Sequence, residues 1–537
     1  MKIYLPFIQI LLLGFILTGS FCFAQTRNYL DPVIDVQHYI FSISVNDEDD
    51  TIRCNAIIRF NAVKETNNIQ FDLASRVANG KGMKVSAVSY KDKGVPHTHL
   101  NNQLNIILPE KIKPNKEVTL RIVYSGVPAD GLIIAKNKYK TRTFFSDNWP
   151  NRAHHWLACI DHPSDKASVE FAVNAPEHYQ LISNGIQVEE TTLPGNRKLT
   201  RYIENVPLPS KVMVIGLANF SVQHLGDVNC IPITSWVYSE DRDMGSIDYA
   251  QATEILPFFI QKIGPYGYKK LANVQSKTMF GGMENASAIF YFENSITGKK
   301  NIEALVAHEI AHQWFGNMAT EIHWSHVWLS EGFATYMAHV YIEYKYGNDS
   351  LKKAMHQDRK QVIAFAKTNP KPVVDTSVTK YMELLNANSY QKGSWVLHML
   401  RNQVGDSAFW KGIRNYYANF AGKNAGTDDL RKIMEQASGQ DLNQFFYQWL
   451  FVSGQPQLDI SWEYNQEKKS VEISINQIQS TPFIFPLELN IISSGNDTTA
   501  RSVDIKQKQS TFTFPSSNKP TKIVVDPNVN LLFEERL

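Results

Sequence analysis

The chain has 537 residues, 43% hydrophobic and 12% aromatic, which provides for packed cores and excludes a disordered or fibrous polymer. Lys and Arg number 54 against 52 Asp and Glu, a formal charge of +2 with no long run of one sign, so nucleic acid is not an implied partner. At this length roughly three to four domains are expected.

The amino terminus carries Lys2, an apolar run from Ile3 to Leu17, and then Thr18-Gly19-Ser20-Phe21-Cys22-Phe23-Ala24-Gln25. The run is shorter than the ~20 residues that cross a bilayer, and Ala24 offers a small residue for cleavage, so residues 1–24 read as a secretory signal peptide rather than a retained anchor. Bulky Phe21 before Cys22 fits a lipoprotein processing site poorly. The expected location is therefore periplasmic or extracellular, with no membrane span in the mature chain. Cys54, Cys159 and Cys230 would remain, none near another at zinc-finger or redox spacing, and each reads as a buried structural thiol.

From Tyr39 to Val222 short β-rich runs alternate with turn residues, among them Tyr39 to Ile43, Ala56 to Phe60, Val118 to Val123 and Val212 to Ile215. The expectation is an N-terminal all-β domain over residues 25–225. Helical periods then dominate, starting with an amphipathic stretch from Ile247 to Ile263 that ends at Gly264-Pro265, so residues 226–453 read as a mainly helical domain. Beyond Gly454-Gln455-Pro456 strands return at Leu458 to Trp462, Ser470 to Ile475, Leu487 to Ile492, Thr511 to Phe514 and Lys522 to Val525. A small β-sandwich over residues 454–537 completes a multidomain α+β chain.

The helical part holds the most informative motif, His308-Glu309-Ile310-Ala311-His312. Ile302, Leu305, Val306 and Ile310 mark one buried helical stripe through it, so the two histidines share a helix face and can reach one ion, with Glu309 beside them as a non-ligand. Glu331, in Leu329-Ser330-Glu331-Gly332-Phe333, stands at the start of a second helical stretch that runs to Tyr346 and stops at Gly347. A hydrolytic zinc needs three protein ligands and one open position, and His308, His312 and Glu331 supply the three. An ordinary carboxylate placed at a helix start for the dipole is the alternative for Glu331. Nitrogen and oxygen ligation suits one zinc ion and also admits cobalt or manganese.

His308 to Asn317, followed by Trp328-Leu329-Ser330-Glu331-Gly332-Phe333-Ala334, resembles the core of the gluzincin aminopeptidases, the family of aminopeptidase N and leukotriene hydrolase. Gly281-Gly282-Met283-Glu284-Asn285 is similar to the family's exopeptidase motif, Tyr390-Gln391-Lys392-Gly393 to the segment with its catalytic tyrosine, and Cys159-Ile160-Asp161-His162-Pro163 to a stretch of its N-terminal domain. The resemblance implies a saddle-like β domain, a thermolysin-like zinc domain and a small β-sandwich, without the carboxy-terminal helical domain common in the family. An open cleft is expected on that ground.

The implied activity is removal of N-terminal residues from peptides with a free amine. Glu309 would serve as general base, Tyr390 would stabilise the oxyanion, and Glu284 within the strip Gly281, Gly282, Met283, Glu284 and Asn285 would bind the substrate ammonium. Without the resemblance, Tyr390 reads as a core aromatic and the strip as a Gly-Gly turn with an acid. Asn148 lies roughly where relatives place a second amine-binding polar residue, and Tyr381, Met382 and Leu385 fall in the region that lines the first side-chain pocket. His154, His155, His162, His323 and His326 read as surface or hydrogen-bonded residues, and Lys392-Gly393 as support for the Tyr390 turn. Two rivals remain: lipid epoxide hydrolysis, and a zinc-containing peptide-binding protein without catalysis.

Overall fold

The computed structural model describes residues 31–493 and 497–536. The expected signal peptide at 1–24, with Cys22, lies outside these residues. The order of architectures is as expected: all-β, then mainly helical, then β-rich.

The first part is built on an eight-stranded sheet around Ile34–Ser44, which pairs in parallel with Lys166–Pro176 and antiparallel with Ile52–Ala62. Along Ile34–Ser44, Val36, Tyr39, Phe41 and Ile43 are buried and the residues between them less so, the alternation of a sheet covered on one face. A four-stranded sheet containing Leu132–Lys136, Arg142–Ser146, Gln180–Ser183 and Ile215–Ala218 lies in the same part. Its significance is positional: the turn after Ser146 carries residues 147–152 toward the helical part. The expected strand from Val212 to Ile215 is replaced by a tight turn at Ser210–Val212 and a strand at Ile215–Ala218, because Asn148, Ser146 and Ser183 hold the intervening carbonyls by hydrogen bonds.

The middle part begins with a five-stranded sheet that helical periodicity does not announce: Phe220–Val228, Ile231–Tyr238, Leu271–Ser276, Ala288–Phe292 and Gly282–Met283. Phe220–Val228 pairs with Ile231–Tyr238, so this sheet takes in residues on both sides of position 225. The single helix expected from Ile247 to Ile263 is two, α1 (Arg242–Tyr249) and α2 (Ala252–Lys262). Gln251 Nε2 donates to Asp248 O and Thr253 Oγ1 to Ala250 O, side-chain bonds that compete with the helical ladder at the break.

Four more helices matter for the site: α3 (Glu303–His312), α4 (Trp328–Tyr346), α5 (Asn348–Ala366) and α6 (Gly393–Val404). Gly347 ends α4 with φ +89°, a conformation that L side chains rarely adopt. α4 meets α6 backbone to backbone, since a Cβ on Gly332 would stand 2.8 Å from Gly393 Cα. The last part consists of a four-stranded and a three-stranded sheet, with Val471, Ile473, Ile475, Leu487, Leu489 and Ile491 buried between strands' inner faces. Beyond the strands expected there, Thr498–Ile505 and Glu534–Arg536 also pair. Cys54 and Cys159 are buried and outside any disulfide; Cys230 is exposed, contrary to its reading as a core thiol, because it sits in the turn between two strands with φ +62°.

Candidate metal centre and substrate cleft

α3 carries the expected apolar stripe and is enclosed on most sides: Val306 and Ile310 are fully buried while Leu305 borders a cavity of about 410 Å³. That cavity is where the expected site residues meet. His308 and His312 from α3, Glu331 from the first turn of α4, Glu309, Glu284 with Gly281, Gly282 and Met283, and Tyr390 all line it. Asn285 is buried outside the lining and turns the strip back toward Ala288, whose N–H donates to its carbonyl.

His308 Nε2 and His312 Nε2 are 3.1 Å apart, and Glu331 Oε2 lies 3.5 Å from the first and 3.2 Å from the second. A tetrahedral ion bonded at ~2.0–2.1 Å spaces its ligand atoms roughly 3.4 Å apart, so the three atoms fit one metal without rearrangement. His312 Nδ1 is 3.1 Å from the Phe315 carbonyl, which accepts its proton and leaves Nε2 as the lone-pair donor. Ser330 Oγ, 3.1 Å from the same nitrogen, completes that support.

Electrostatics separates the acids. Burial opposes ionisation of Glu331, but His312 and His308 outweigh it and hold the carboxyl well below the usual range. Among the described residues Glu309 has no such partner at bonding distance: burial raises it well above the usual carboxylate range, with Glu284 and Glu331 adding to the rise. Glu284 is raised as well, chiefly by burial. Tyr390, whose ring lies parallel to His308 at 6.1 Å, is pushed far up by burial and then by the carboxylates, so it remains a hydroxyl and a donor.

The strip is fastened from the far end of the histidine motif. Gln313 Nε2 and Asn317 Nδ2 donate to the Glu284 carbonyl at 2.8 and 2.6 Å, and Gln313 Oε1 accepts from Ser287 N–H. Gly282 runs directly along Glu309; a Cβ there would lie 2.2 Å from the Glu309 Oε1 in its present position. Tyr390 sits in a wide turn, Asn388–Lys392, in which Lys392 N–H reaches back to Ala387 O at 2.8 Å. Lys392 Nζ donates to Gly454 O at 2.6 Å and so ties that turn to the start of the last part.

Other expectations divide. Leu385 lines the cavity, but Tyr381 stacks on Trp324 at 5.5 Å instead, and Met382 is exposed. Asn148 does not line it: its amide donates to Ser210 O and Met213 O while its Oδ1 accepts from Trp156 Nε1, so every polar atom is spent inside the β part. The neighbouring Trp149 faces the cavity in its place, a residue without a signal of its own in a turn whose register no periodicity sets. His154, His162, His323 and His326 bond Asp161, Ser164, Ser325 and Thr427, and His155 stacks on His154; none borders the cavity. Thr335, Ala338 and His339 do border it, and they were readable as the positions one and two turns along α4 from Glu331.

The Peptidase family M1 domain matches residues 248–449, and the Peptidase M1 N-terminal domain matches residues 35–212. The chain belongs to peptidase family M1. M1 relatives include Aminopeptidase M1 of Arabidopsis thaliana, 27% identical over 68% of this chain and 44% of its own length. Probable aminopeptidase 2 of Sulfurisphaera tokodaii is 27% identical over 72% of this chain and 51% of its own length. The chain thus spans about half the length of these relatives. In fold it is similar to an M1 zinc metallopeptidase from Deinococcus radiodurans, with TM-score 0.69, 24% identity and 79% and 94% of the two chains covered. Aminopeptidase A of Legionella pneumophila, in a complex with aspartic acid, superposes over 94% of this chain and 60% of its own with TM-score 0.81 at 16% identity.

Proposed function

We propose that this protein is a zinc-dependent aminopeptidase that removes N-terminal residues from peptides. The observation that carries the reading is the convergence of His308 Nε2, His312 Nε2 and Glu331 Oε2 within 3.1–3.5 Å of one another, with Glu309 and Glu284 buried beside them. His308, His312 and Glu331 would hold the ion. Zinc bound there supplies Lewis-acid polarisation of a carbonyl and a water acidified toward neutral pH.

The rest is done by the chain. Glu309 takes a proton from the attacking water and returns it to the leaving amine, a task suited to a carboxyl whose burial raises its affinity for protons. The Tyr390 hydroxyl donates to the oxygen that becomes negative as the carbonyl is attacked, an interaction stronger in the transition state than before it. Glu284 accepts hydrogen bonds from the substrate ammonium and sets the cut one residue in from the free end. The backbone of Gly282, free of side chain, lets the peptide lie along Glu309.

The test is release of aminoacyl chromophores before and after chelation, with Glu309→Gln as control. Turnover that survives both chelation and the substitution would sink the reading. Hydrolysis of amine-blocked peptides as fast as free ones would leave a peptidase but remove the exopeptidase assignment.

The proposal includes export. It is supported by the run from Ile3 to Leu17 and by Ala24 before Gln25. Among the described residues no helix is long and apolar enough to cross a membrane. Amino-terminal sequencing of protein recovered outside the cytoplasm should begin at Gln25, and a retained Met1 would contradict it.

A further inference from the structure

We infer that Trp149 selects the substrate's N-terminal side chain, favouring aromatic and long aliphatic groups over acidic ones. This rests on the aminopeptidase reading, which it deepens by naming the substrate class. With the ammonium at Glu284 and the scissile carbonyl at the His308, His312 and Glu331 cluster, two of the substituents on the substrate's first Cα have assigned places. The side chain is left the remaining wall of the cavity, whose large surfaces are apolar, Trp149, Phe280, Met283, Leu305 and Leu385, with Thr335 and His339 as its polar members. Among the described residues no Lys or Arg lines the cavity, and its carboxylates are Glu284, Glu309 and Glu331. An acidic side chain there would lose its hydration against aromatic carbon and face like charge, since the His339 imidazole is already bonded to Asp358 at 2.9 Å.

The indole is held as a rigid surface. Lys211 Nζ lies 5.3 Å from the Trp149 ring centre and 5.7 Å from that of Trp324, and the two rings meet edge to face at 5.2 Å. The ammonium cannot drift, since Lys211 donates to Glu321 at 2.5 Å and both are buried. The Trp149 backbone is held as well: Arg152 Nε donates to its carbonyl at 2.8 Å and the guanidinium pairs with Asp147. Asp147 in turn accepts from Thr278 Oγ1 at 3.1 Å and Met279 N–H at 3.3 Å, immediately before Phe280. The β part therefore contributes one half of the wall and is fastened to the other half.

The experiment measures kcat/KM for phenylalanyl-, leucyl-, alanyl- and glutamyl-p-nitroanilide with the zinc-loaded full chain, Trp149→Ala and Trp149→Leu. Binding of the four corresponding amino-acid amides to Glu309→Gln is followed by calorimetry alongside. The parent should take phenylalanyl and leucyl substrates at least about tenfold better than alanyl, with glutamyl poorest. Trp149→Ala should shrink the phenylalanyl-to-alanyl ratio by about tenfold, mostly through KM. Trp149→Leu should keep the leucyl rate and lower the phenylalanyl one, and its ratios decide the matter if Trp149→Ala does not fold. Ratios unchanged in the variants, or a parent that prefers glutamyl, overturn the inference. If the anilides are not cleaved but the amides bind Glu309→Gln in the stated order and lose that order when Trp149→Ala is added, the aminopeptidase reading falls and the selection by Trp149 stands. If no amide binds, both fall.

Discussion

Glu331 and Glu321 are buried carboxylates of the same short stretch of chain, and their surroundings give them opposite work. Glu321 meets the ammonium of Lys211, so the charge is cancelled within the protein and the pair is sealed between Trp149 and Trp324. Glu331 meets two imidazole nitrogens that also face each other at 3.1 Å, a set of lone pairs that a cation completes and no side chain in the cluster does. A buried charge answered from within is architecture; a converging set of donors without a cation of its own is a site. The same contrast holds for Glu309, which burial leaves with a raised proton affinity and, among the described residues, no bonding partner, the state a proton shuttle needs.

The comparison can be broken at several points. His312→Ala should abolish both metal content and turnover, measured by metal analysis and chromophore release; bound zinc at parental levels would mean the ligand set is elsewhere. Glu309→Gln should keep its zinc and lose about 10²–10⁴-fold in kcat, the ordinary range for a general acid-base group. Tyr390→Phe should lose about 10²–10³-fold with zinc and melting temperature unchanged, and a normal rate would return Tyr390 to the core aromatics. Lys211→Met should act on the other side of the comparison. Removing one partner of a buried pair costs roughly 3–5 kcal/mol, so denaturant midpoints should fall while zinc stays bound.

The smallest effect concerns Lys392, a buried ammonium whose proton is weakened to about 7 by desolvation. Between about 7 and 10.5 the unfolded chain keeps a proton that the folded chain has released, so stability contributed by this group rises with pH across that window. Lys392→Met should flatten the rise by at most about 1.4 kcal/mol per pH unit, read from denaturant melts at neutral and alkaline pH. An unaltered slope would place the lysine's proton on the folded chain throughout.

Legibility followed locality. The histidines and Glu331 lie on two helices whose apolar stripes announce themselves, so the spacing of His308, His312 and Glu331 is enough to bring the right atoms together. The five-stranded sheet was silent for a physical reason: Leu271–Ser276 is buried along its whole length, and a strand covered on both faces has no alternation to read. Trp149 was missed in favour of Asn148 because which of two adjacent turn residues faces a cavity is set by partners far along the chain, here Ser210, Met213 and Trp156. Tyr381 went astray similarly, drawn onto Trp324 by stacking that no local pattern encodes.

The contact of Gly332 with Gly393 has a mechanical consequence. Glu331 immediately precedes one glycine and the Tyr390 turn leads into the other, so the proposed metal ligand and the phenol near it are mounted on two helices with no side chain between them. There is no cushion in that joint to absorb a shift. Any motion that displaced the phenol would tug on the carboxylate as well, and the two halves of the chemistry keep time with each other.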